Sequence, residues 1–168
     1  MTAKMFRTLL PMALLFATVS CSSDATEDVV IASKNQVLIE NYDYDETETE
    51  LIDLINDYRV SQNLNALQPI NHISYKSEEH NAYMIQKNVV NHDFFQERSQ
   101  NLIQVLGATR VNENVAYNYN TPQAAMNAWL NSPGHKANIV GDFTHFGISV
   151  SINPESGRKY YTNMFIKK

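Results

Sequence analysis

The apolar residues of this chain change their spacing part-way along it, and that change restricts the fold more than any other feature. Up to Leu106 they recur at helical intervals, and from Val111 onward stretches of strict alternation appear. Leu51, Leu54, Ile55 and Tyr58 share one face, which predicts a helix over 45–62. Thr47 and Glu50 have the spacing of its capping box, and the acidic run 43–53 suits its positive end. Asp57 and Arg59 fall outside this stripe. Tyr75, Ala82, Ile85 and Val89 predict a second helix over 74–90, and a third over 96–106 is closed by Gly107. Val111, Glu113, Val115, Tyr117 and Tyr119 then alternate with Asn112, Asn114 and Asn118, predicting a strand over 111–119. Thr121-Pro122 opens a helix carrying Ala125, Met126, Trp129 and Leu130. Ser132-Pro133 opens a shorter one ending near Gly141, with Ser132 placed as its cap. Phe146, Ile148, Val150 and Ile152 alternate as a strand whose hairpin partner, 159–166, follows a turn at 153–157. Helices first, then strands mixed with helices, give an α+β domain.

With 168 residues, 43% of them hydrophobic, the chain is long and apolar enough for one packed core. One cysteine excludes an internal disulfide and any cysteine-rich metal framework, so packing must supply the stability. Thirteen basic residues against 18 acidic ones leave a net charge of -5, which argues against a nucleic-acid partner.

That cysteine closes an N-terminal address. Lys4 and Arg7 precede an uncharged apolar run from Leu9 to Val19, and small residues lead to Cys21. This is the order of a secretory signal, too short and too interrupted at Pro11 to span a membrane. Val19-Ser20-Cys21 resembles a bacterial lipobox, with Thr18 where leucine is usual, and implies that Cys21 carries the lipid. The expected organisation is a signal peptide over 1–20, a lipidated cysteine and flexible tether over 21–44, and a folded domain over 45–168. Membrane contact would come through the anchor alone. The acidic beginning of the tether, 22–28, resembles surface-export signals of one group of Gram-negative bacteria. An ordinary secretory signal with an incidental cysteine is the alternative.

Of the five histidines, His72 reads as a solvated loop residue, His80 as a hydrogen-bonded residue at the core edge, and His145 as a surface residue. His92 leaves a helix end beside Phe94-Phe95, in a loop that hydrophobic neighbours must hold. His135 lies in the first turn of a short helix, whose positive pole favours a neutral ring able to bind metal or accept a proton. Alternation puts the Glu113 carboxylate on the side of Val115 and Tyr117, where it needs a partner such as a histidine. The spacings among these three match no local zinc signature such as H-E-x-x-H. Three unrelated polar residues remain the alternative.

His92 after a helix, the pair Glu113-Asn114 and the segment from Trp129 to Ile139 resemble the CAP superfamily of cysteine-rich secretory, antigen 5 and pathogenesis-related proteins. The resemblance runs from about Glu50 to the C-terminus and is nearest to the bacterial branch. It implies a three-layer α-β-α sandwich with a central antiparallel sheet. It also implies a cleft of two histidines and two acidic residues that binds a divalent cation in some members. Carried over, the histidines are His92 and His135 and the first acidic residue is Glu113. Asn112 replaces the usual glycine before it, and Ser132 stands at the second acidic position.

Two functional classes follow. One is an exported binding module, whose cleft of His92, Glu113, Ser132 and His135 holds an envelope component, peptide or lipid without turnover. The other is a hydrolase in which His92 and His135 hold Zn²⁺ or another divalent cation, with Glu113 as third ligand or as base, so that His92, Glu113 and His135 are also its candidate catalytic residues. A serine hydrolase using Ser132 lacks the strained nucleophile turn, and a purely structural hydrogen-bonded cluster is a further reading.

Overall fold

The computed structural model describes residues 37–168. The signal peptide, Cys21 and the tether as far as residue 36 lie outside the described residues.

Helix α1, Glu46–Ser61, is opened by a capping box two residues earlier than the sequence suggests: the Asp45 carboxylate accepts the Glu48 amide and the Glu48 carboxylate accepts the Asp45 amide. Leu51 and Ile55 are fully buried on its inner face. So is Arg59, against expectation, because its guanidinium donates to the main-chain oxygens of Asn65, Ile139 and Gly141. A short strand β1, Gln68–Pro69, leads into α2, Asn71–Lys87, which begins three residues before the predicted start and stops at Asn88 in the left-handed region, φ 53°. His72 therefore lies on this helix and is fully buried rather than solvated. Its Nδ1 accepts the Ile39 amide and its Nε2 meets Asn101 Oδ1, so the segment before α1 and a later helix residue engage both ring nitrogens.

Helix α3 spans Phe95–Leu106 and ends, as predicted, at Gly107 with φ 71°. Strand β2, Arg110–Tyr117, is shorter than predicted because Asn118 turns the chain with φ 64°. Helix α4, Pro122–Asn131, has Thr121 as its cap, and α5, Pro133–Ile139, follows at once. Ser132 stands at the start of α5, but unlike Thr121 before α4 its side chain makes no capping hydrogen bond. The chain closes with β3, His145–Ile152, and β4, Lys159–Lys167.

The sheet runs β1-β3-β4-β2, antiparallel except for the two-residue β1 beside β3. Alternate residues feed two separate cores. Phe146, Ile148 and Phe165 pack with Leu51, Ile55, Met126 and Trp129, under α1 and α4. Met164 and Ile166 pack with Ile73 and Leu102, under α2 and α3. This is the expected three-layer α-β-α arrangement. At Gly147 α2 lies directly on β3: a Cβ there would stand 2.5 Å from Ile73 Cβ and closer still to the Ser74 amide nitrogen. Hydrogen bonds also run upstream of α1, since Tyr42 donates to Glu48 and Tyr44 pairs with Ser74.

Candidate functional site

Strand β2 is the outer strand of the sheet, and its pleat decides what each layer receives. Glu113 stands opposite Met164 and so faces α2 and α3. Asn112 and Asn114 face the other layer, where they hold α5. Asn112 donates to Asn138 Oδ1 at 2.7 Å, Asn114 donates to the His135 carbonyl at 3.0 Å, and Asn138 donates back to Asn114 Oδ1 at 2.8 Å. The asparagine at position 112 is thus part of the ladder that seats the short helix bearing His135.

Glu113 has its side chain 1% exposed. Burial alone would push its carboxyl up, but the hydrogen bond from His92 and the guanidinium of Arg98 outweigh it and hold the group below the ordinary glutamate range. Oε1 accepts from His92 Nδ1 at 2.8 Å and from Arg98 Nη2 at 2.9 Å. Oε2 accepts from Arg98 Nε at 2.9 Å and Nη2 at 2.7 Å. A histidine partner for this carboxylate was expected from the sequence; Arg98 was not. The signal was present, since Phe95, Arg98 and Leu102 follow one another at helical spacing, which puts the arginine on the buried stripe of α3.

The loop carrying His92 is held on both sides of the residue. His80, buried as expected at the core edge, directs Nε2 to the Asn91 carbonyl at 2.9 Å, and Arg98 Nη1 donates to the Asp93 carbonyl at 2.8 Å. Phe94 adopts φ 58° and meets Tyr83 edge-on, with ring centroids 5.1 Å apart. The His92 ring is 52% exposed, reaching from this fixed loop into solvent.

Two hollows open along β2. One of about 320 Å³ is lined by His92, Phe95, Val111, Asn112, Glu113 and Asn138. The other, about 380 Å³, is lined by Val90, Tyr117, Tyr119, Trp129, Ser132 and His135 among others. Burial lowers the affinity of His135 for a proton, and nearby His92 lowers it further, so its ring is neutral at pH 7. The fold therefore joins His92 directly to Glu113 and sets His135 and Ser132 together in the second hollow. No hydrogen bond joins Ser132 to His135 among the described residues, and His145 lies apart, with its Nδ1 at Thr144.

The donor set does not fit a three-ligand zinc site. Both oxygens of the Glu113 carboxylate already accept from charged or ring N–H donors, Oε1 from His92 and Arg98 and Oε2 from Arg98. Among the described residues no group of three His, Cys, Asp or Glu side chains is gathered to hold an ion.

The model of the cysteine-rich secretory protein (CAP) family matches residues 52–165. The chain belongs to the CAP family. Its match to the uncharacterized membrane protein YlbC of Bacillus subtilis is 51% identical over 57 residues, covering 33% of this chain and 15% of that protein. An extracellular protein of Bacillus anthracis containing an SCP domain superposes with a TM-score of 0.64 at 28% identity, over 73% of this chain and 40% of that one. An outer surface protein of Borrelia burgdorferi shares the fold, with a TM-score of 0.68 at 22% identity over 76% of this chain and 96% of the other. The CAP chain thus spans only a fraction of the YlbC protein.

Proposed function

We propose that this chain is an exported, lipid-anchored CAP domain of the bacterial envelope that captures a peptide or lipid component of that envelope in the paired hollows along β2, without turning it over. The observation that carries this reading is the state of Glu113. With its carboxylate consumed by Arg98 and His92, the cleft offers two imidazoles, the Ser132 hydroxyl and an aromatic wall at Trp129 and Tyr117, but no free carboxylate and no hydroxyl hydrogen-bonded to a base. That is the equipment of a recognition site: a few polar groups set in an apolar hollow. A metal-dependent hydrolase in the same cleft would need Glu113 as ligand or base, and its lone pairs are committed. The YlbC protein is described as a membrane protein and the Bacillus anthracis protein as an extracellular one, which supports the exported address.

Full-length protein recovered from cells, immobilised and exposed to peptidoglycan fragments and to vesicles of the cell's own lipids, should retain one of the two, and His135→Ala should abolish that retention. Retention of neither rules out the binding module. A lipid-bearing mass on the mature N-terminus, lost in Cys21→Ala, checks the anchor separately.

A further inference from the structure

His92 is gripped at three points, and Arg98 controls two of them: it donates to the carbonyl of the next residue, Asp93, and it forks onto the carboxylate that receives the His92 ring. We infer that Arg98 is a positioning residue that fixes His92 as the Nδ1–H tautomer, leaving the Nε2 lone pair directed into the cleft. Donor and acceptor roles decide this. An arginine only donates, so a carboxylate facing it can only accept, and a ring nitrogen 2.8 Å from that carboxylate must carry the hydrogen. In the neutral ring the other nitrogen is then bare.

A free imidazole side chain prefers the opposite form, with hydrogen on Nε2. A ring as exposed as His92, at 52%, would take it if nothing intervened. The planar fork from Nε and Nη2 holds the carboxylate in one plane, which a single-point cation would not do. His80 supports the same orientation through the Asn91 carbonyl, on the other side of the residue.

On the binding role proposed above, the ligand atom that meets His92 is then a hydrogen-bond donor, such as a hydroxyl or an amide N–H. The tautomer itself is independent of that role and can be measured without any ligand, so the two readings fail separately.

Imidazole nitrogen-15 spectra of the full chain at pH 8 decide the matter. The expected wild-type pattern for His92 is a protonated Nδ1 and a bare Nε2. In Arg98→Met the ring should revert to predominantly Nε2–H. Glu113→Gln, nearly isosteric, provides a second arm: Arg98 claims the amide oxygen, the NH₂ group is left facing Nδ1, and the ring should invert to Nε2–H. A wild-type ring carrying its hydrogen on Nε2, or an even mixture, overturns the inference. An unchanged Nδ1–H form in Arg98→Met overturns the role of Arg98, and so does its persistence in Glu113→Gln, which is the deciding arm if the methionine variant does not fold.

Discussion

Arg98 and Glu113, 15 residues apart in sequence, meet in a buried two-pronged ion pair with Nη2 2.7 Å from Oε2. The pair joins α3 to the outer strand of the sheet, so it stabilises the wall of the cleft as well as orienting it. Glu113→Gln keeps the shape and removes the charge, and a hydrogen bond to a charged group contributes about 1.5–3 kcal/mol net. A loss of roughly 1–3 kcal/mol in urea unfolding at pH 7 is expected. Because the folded carboxyl sits below its ordinary range, the wild-type advantage is complete above the unfolded value of about 4.3 and fades as pH falls through the folded one. A variant as stable as wild type at pH 7 would show the ion pair to be energetically neutral.

The buried histidines act on the same acid side of the pH profile, beginning at a higher pH. Burial lowers the proton affinity of His72 and His80, and that of His135 is lowered too. An unfolded chain therefore takes up protons that the folded one refuses, so stability is full above about pH 6.5 and falls as the solution is acidified below it. His72 has a local reporter. Protonating its Nδ1 removes the acceptor of the Ile39 amide, 3.1 Å away. Lys76, the strongest charge opposing protonation, and Glu79, which favours it, both lie on the same helix. Amide exchange at Ile39 should accelerate between pH 7 and pH 5 ahead of exchange in β4. Identical protection at both values contradicts the assignment.

What the sequence makes legible here is local. Gly107, Thr121-Pro122 and the alternation from Val111 were readable because each signal lies within a few residues of the structure it produces. The partners of buried polar groups were not readable, because they are set by contacts between distant segments. Arg59 is satisfied by carbonyls 80 and 82 residues further along, and nothing near it in the chain announces them. His72 looked like a loop residue after Pro69, but the helix begins at Asn71 and turns the ring inward. In the site, His92 and Glu113 were brought together by reasoning about a charge in need of a partner. Arg98 was missed because an arginine on an apolar stripe is usually a snorkelling surface residue, with its charged head in water.

Ser132 separates a structural role from one in the cleft. A serine that caps a helix costs about 1 kcal/mol when replaced by alanine. Here the hydroxyl makes no capping hydrogen bond and lines the hollow with His135. Ser132→Ala should therefore change unfolding free energy by less than about 0.5 kcal/mol, while weakening retention of the envelope component. A loss near 1 kcal/mol with retention unchanged would return the residue to the role of a cap.

The approach of α2 to β3 at Gly147 sets how firmly the sheet holds the helix from which the His92 loop departs. A Cβ at this position would lie 2.5 Å from Ile73 Cβ and nearer still to Ser74 N, both far inside contact distance. Neither neighbour can give way cheaply, since one is a fully buried residue and the other is helix main chain. Ser74 and Ser77 hydrogen-bond to the β3 main chain at Ile148 and Gly147, so any shift of the helix also breaks those bonds. Gly147→Ala should destabilise the domain by about 3 kcal/mol or more, at or beyond the upper end of the usual cost of overpacking, measured by urea unfolding. Because α2 would be displaced as a unit, the His80 contact to Asn91 should loosen and the His92 ring should lose its single tautomer in the folded fraction. A stable variant with an unaltered His92 spectrum would mean that the helix can move on the sheet without disturbing the cleft.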